Sequence, residues 1–129
     1  MSLLISKTNV SPYDYVSQGD GQNPVSASVT LDNTGGTVTS AAITAYLVGT
    51  TFNYTGITVQ PINEQVGINW QVSLDNVTWL ESVTPADMDG RTTDAVTTIY
   101  LRAVVVNDGT IGTRNYTQAD IQVSATENP

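Results

Sequence analysis

Apolar and polar residues alternate in short runs along most of this chain, and glycine, asparagine and aspartate separate the runs. VSASVTL (25–31) sets the pattern: Val25, Ala27, Val29 and Leu31 fall on one face, and DNTGG then breaks the run. A period of two marks a strand buried on one side, and Asn and Gly tolerate the positive φ that tight turns need. Further runs of this kind are TVTSAAITAYLV (37–48), YTGITV (54–59), INWQVSL (68–74), VTWL (77–80), TTIYLRAVVV (97–106) and YTQADIQVSA (116–125). No stretch keeps apolar residues at i, i+3, i+4 and i+7 for the length of a helix. The pattern predicts an all-β, antiparallel β-sandwich of about seven or eight strands over residues 25–125, followed by a short C-terminal tail, 126–129. One helical turn is expected in TPADMDG, where Thr84 can cap, Pro85 takes the first helical position, Asp87 faces the positive end and Gly90 stops the turn.

Residues 1–24 break the pattern. Leu3, Leu4 and Ile5 are followed by a polar stretch holding Tyr13 and Tyr15, then by SQGDGQNP, whose Gly, Pro and amide content cannot build a core strand. The segment reads as an N-terminal arm and linker, with Leu3, Leu4, Ile5, Tyr13 and Tyr15 as its candidate partner-binding residues. A first strand followed by a long loop fits the same residues.

Both tryptophans lie in GINWQVSLDNVTWLES (67–82). With Asp75-Asn76 as a two-residue hairpin turn, Val72 faces Trp79 and Trp70 faces Glu81. Trp70, Val72, Leu74, Val77 and Trp79 then share one apolar face. A face that apolar is normally buried, which places Trp79 in the core and brings Trp70, beside Glu81, towards a rim.

Composition removes most chemistry. The 129 residues include no cysteine and no histidine, so disulfides, thiolate sites and the commonest general base and metal ligand are all missing. The net charge of -8 sets twelve carboxylates against Lys7, Arg91, Arg102 and Arg114. Four scattered cations cannot neutralise a phosphate track, so nucleic acid is not an expected partner. An acidic surface repels anionic membranes, and no apolar run approaches the roughly 20 residues of a membrane span. MSLLISKTNV has neither the order nor the length of a secretory signal, so synthesis in a host cytoplasm without a signal peptide is expected, a signal already cut away being the alternative.

SLDNVTW resembles the S-x-D-G-x-T-W hairpin of many extracellular and phage sandwich domains, with Asn76 in place of the turn glycine. LRAVVVNDGTIG is similar to the late strand and hairpin of fibronectin-type-III and immunoglobulin-like domains. The cysteine pair of the latter is missing, and no tryptophan stands on VSASVTL. The resemblance covers about half the chain and implies an immunoglobulin-like β-sandwich, a fold that hosts many functions. In style, as a small, acidic, Thr-, Val- and Asn-rich sandwich, the chain also looks like virion proteins of tailed phages.

Each catalytic or ligand-binding motif has a plain alternative. Asp87, Asp89 and Asp94 gather in DMDGRTTD without the full calcium loop or its closing Glu, and read as a solvated turn rather than a metal or glycosidase site. No Ser or Thr has a histidine to activate it, and no Gly-rich loop lies between a strand and a long helix. Asn9, Asn53, Asn76 and Asn115 begin N-x-S/T sequons, which matter only after export. Two classes remain. The first is a non-catalytic virion structural protein without cofactor, a capsid decoration or tail protein binding viral coat or tail proteins and its own copies. The second is an extracellular carbohydrate- or surface-binding module using Phe52, Tyr54 and Tyr116.

Overall fold

The computed structural model describes residues 3–16, 25–31, 36–62, 67–106 and 111–129. They form β1 (Leu3–Ser6), β2 (Val25–Leu31), β3 (Thr37–Thr39), β4 (Ile43–Gly49), β5 (Asn53–Ile62), β6 (Ile68–Ser73), β7 (Met88–Asp89), β8 (Ala95–Val106) and β9 (Gly112–Asn128). Every pairing is antiparallel. One sheet has five strands in the order β1-β4-β8-β3, with β6 also on β8; the other has four in the order β2-β9-β5-β7. Inward side chains of both sheets meet in one core: Leu47, Trp70, Ile99 and Leu101 from the first, Val29, Val59, Ile121 and Val123 from the second.

β8 is the spine of the five-stranded sheet. Ile99, Leu101, Ala103 and Val105 are buried, while Thr98, Tyr100, Arg102 and Val104 alternate with them on the outer face. The run 37–48 forms two strands rather than one. Thr39 faces Val104 and Ile43 faces Leu101, so four steps on one side match three on the other. Such an extra residue interrupts the ladder and would orphan a backbone group. Ser40 fills the gap: its amide donates to the Ala103 carbonyl at 2.8 Å, and its Oγ accepts the Ala103 N–H at 2.9 Å. A second bulge lies in β5 between Thr55 and Thr58, where Gly56 holds a φ of 60° that costs a glycine little.

The first residues are not a free arm. β1 pairs with β4 from Leu3↔Gly49 to Ser6↔Tyr46, and Leu3 and Ile5 are fully buried in the core. The chain then doubles back on β1: Val16 N–H donates to the Ile5 carbonyl, Lys7 N–H donates to the Asp14 carbonyl, and Val16 is buried. The cause is the alternation in LLIS, which sends Leu3 and Ile5 to one face of an edge strand. Residues 17–24, the expected linker, lie outside the described residues. The expected tail is also strand, since β9 continues through Thr126 and Glu127 to Asn128, which pairs with Asn53.

No helix forms at 84–90. Val83 exchanges two backbone hydrogen bonds with Val59, Pro85 and Met88 are buried, and β7 pairs with β5. An extended chain makes these contacts, and burying Val83 and Met88 outweighs local capping preferences of about 1 kcal/mol. Gly90 closes the segment: Thr51 N–H donates to its carbonyl, and its own N–H donates to the Phe52 carbonyl, both at 2.9 Å.

Candidate functional site

The turn after β6 decides what the outer face carries. Ser73 Oγ accepts the N–H groups of Asp75 and Asn76 at 3.2 and 2.9 Å and donates to Asp75 Oδ1 at 2.9 Å. Asp75 Oδ1 also accepts the N–H groups of Val77 and Thr78 at 2.9 and 2.8 Å. The Thr78 and Val77 amides, with the Ser73 hydroxyl, lower the Asp75 pKa to about 2. Asn76 adopts a φ of 61°. These bonds widen the turn, and Val72 bridges to Leu80 rather than to Trp79.

A slip of one residue sends every following side chain to the opposite face. Trp79 therefore leaves the expected core face, while Trp70, expected towards a rim, shares the inward face with Val72. Trp70 is 1% exposed and lies in the core. Trp79 is half-buried on the outer face, where the Arg102 guanidinium carbon lies 4.4 Å from its ring centroid. VTWL forms no strand, and Leu74, Val77 and Leu80 are exposed at the loop. Leu74, Leu80 and Val83, with Asp75 and Thr78, line a shallow depression of about 290 Å³ there.

Around Trp79 the register assembles a group the sequence did not suggest. Gln71 faces Arg102 across β6 and β8, and its Oε1 accepts Arg102 Nε–H at 2.8 Å. Asn69 Nδ2 donates to Glu81 Oε1 at 2.7 Å beside them. Tyr100 is two residues before Arg102 on the same face. Tyr46, opposite Thr98 on β4, is the diagonal neighbour of Tyr100. Both tyrosines are half-buried. The signal was present in TTIYLRAVVV, where Tyr100 and Arg102 occupy the alternate positions that a core does not use.

Tyr15 bridges Ser6, which faces Tyr46, so it extends the same row. Tyr13 packs 5.7 Å from Tyr15, centroid to centroid, and donates its hydroxyl to Asp94 Oδ2 at 2.8 Å. That bond to a carboxylate raises the Tyr13 pKa, and partial burial raises that of Tyr15. Of the five residues expected to reach a partner, Leu3 and Ile5 are sealed in the core, Leu4 and Tyr13 are half-buried, and Tyr15 is exposed.

Phe52 and Tyr54 form no open platform. Tyr54 is fully buried, donates its hydroxyl to the Thr50 carbonyl at 2.6 Å, and meets the Phe52 ring edge-on at 6.4 Å. Tyr116 lies in β9 opposite Ala27, its side chain outside the described residues. In DMDGRTTD, Asp89 holds Arg91 through two bonds of 2.9 Å, which lower its pKa to about 2, and Asp94 holds Tyr13. Among the described residues, no three acidic groups gather as a metal site. Comparison with protein-family models, curated proteins and solved structures gave no match.

Proposed function

We propose that this chain is a non-catalytic structural protein of a virion, a capsid decoration or tail protein that binds a protein lattice, and that its sheets are a variant of the immunoglobulin-like sandwich. The observation that carries the reading is the outer face of the five-stranded sheet. Tyr46, Tyr100, Trp79 and Arg102 lie together there, and Tyr, Trp and Arg are the residues that dominate the energetics of protein interfaces. The outward strand positions carry no carboxylate, although the chain has twelve. Interface centres are depleted of charge in the same way, and acidic residues elsewhere keep the unassembled protein soluble. Two antiparallel sheets around one core support the immunoglobulin-like reading.

The test is quantitative mass spectrometry of gradient-purified particles from cells producing the chain. Stoichiometric recovery with particles is expected, and recovery only in the soluble fraction would count against the reading. A second reading, glycan binding, has one observation in its favour: Trp79 stands half-exposed among the amides of Gln71 and Asn69 and the carboxylate of Glu81. Binding on a glycan array by the soluble chain would move this reading ahead.

A further inference from the structure

Arg102 is the only charged residue on the outward strand positions of the five-stranded sheet, and its guanidinium is already oriented. Nε is committed to Gln71 Oε1, and one face of the group lies over the Trp79 ring. Arg91 pairs with Asp89, and Arg102 has no carboxylate among the described residues within ion-pair distance. This is unusual in a chain with three times as many carboxylates as cations. The remaining Nη donors share the plane of the guanidinium, and their geometry matches the two oxygens of a carboxylate.

We infer that Arg102 captures an aspartate or glutamate side chain on the surface of a partner protein, with Trp79, Gln71 and Tyr100 forming the surround and Glu81, held by Asn69, at its edge. The argument is charge complementarity. A cation covered by a partner without an anion would be desolvated and unpaired, which is strongly unfavourable, whereas a bidentate carboxylate satisfies it. Stacking and the Gln71 bond have already restricted the side chain, so little further ordering is lost on binding. A second copy of this chain is the weaker occupant, because two molecules of charge -8 repel. The inference rests on the protein-binding reading and specifies its contact.

The test is selection from a library of random peptides displayed through their C-termini, so that the carboxylates they offer are side chains, followed by affinity measurement on synthetic amidated peptides. Expected is enrichment of peptides with one Asp or Glu among uncharged residues, bound at least about tenfold more weakly by Arg102→Gln and by Arg102→Lys, with both variants melting near the parent temperature. Exchange of the acid for its amide in the peptide should produce a similar loss. Peptides that bind independently of Arg102 but are lost on Tyr100→Ala would overturn the carboxylate contact and leave the protein-binding reading standing. Failure to select any peptide, or binding confined to a glycan array, would overturn both.

Discussion

Truncating Trp70 to alanine removes the largest side chain in the protein that is buried to below 2% exposure. Loss of a buried large aromatic costs roughly 3–5 kcal/mol, transfer and cavity terms together. Against a total stability of roughly 5–15 kcal/mol for a single domain, that is about a fifth or more of the whole. Trp79→Ala should cost much less. Its ring is half-buried, and the Arg102 contact contributes about 0.5–1 kcal/mol at a site of that exposure, so about 1–2 kcal/mol in all. With a urea m-value of roughly 1.5–2 kcal/mol per molar, Trp70→Ala should lower the unfolding midpoint by about 1.5–3 M and Trp79→Ala by about 1 M or less. Far-UV circular dichroism gives the midpoints, and fluorescence of each variant reports the tryptophan that remains. Blue-shifted emission is expected from Trp70 alone and red-shifted emission from Trp79 alone. A larger loss for Trp79→Ala would refute the Val72–Leu80 register and restore the two-residue turn.

A Cβ at Gly90 would collide with the Gly49 carbonyl, so Gly90→Ala should destabilise by about 3 kcal/mol in chemical denaturation, whereas Gly56→Ala, with open space but a φ of 60°, should cost about 1 kcal/mol. Ile5→Ala should cost about 2–5 kcal/mol by the same assay, and a near-zero change would return residues 3–6 to the status of a dispensable arm. Asp75 has its pKa lowered from 3.8 to about 2, so its contribution to stability is present above about pH 4 and disappears as pH falls towards 2. Asp75→Asn should therefore flatten the dependence of the urea midpoint between pH 4 and 2, and an unchanged slope would show that the carboxylate does not hold the turn.

The alternation in VSASVTL and TTIYLRAVVV was sufficient to assign β2 and most of β8, because a strand with one buried face writes its geometry directly into the sequence. Other features were invisible for definite reasons. LLIS is too short, beside a polar loop, to be told from an arm; only the β4 edge reveals that Leu3 and Ile5 have somewhere to go. The bulge at Ser40 looks like ordinary strand, since a serine that repairs a ladder and one that merely faces solvent are written alike. At 84–90 the capping signals were real but local, and distant contacts with Val59 and β5 overrode them.

The candidate site shows how much rests on one such hidden choice. A two-residue turn at Asp75-Asn76 would put Trp79 on the same face as Val72, inside the core, and leave Arg102 with Gln71 alone. Ser73 and Asp75 instead gather four backbone N–H groups, and this favours the wider loop by satisfying donors that a tight turn would leave to solvent. The extra residue moves Trp79 outward and sets its ring against Arg102. Turn chemistry in a polar loop thus determines whether the outer sheet face has an oriented cation. It follows that Ser73→Ala should weaken any Arg102-dependent binding although the Ser73 hydroxyl bonds within the turn and not to Arg102. Its effect on binding should parallel a loss of the red-shifted Trp79 emission, as the register drifts toward the buried alternative.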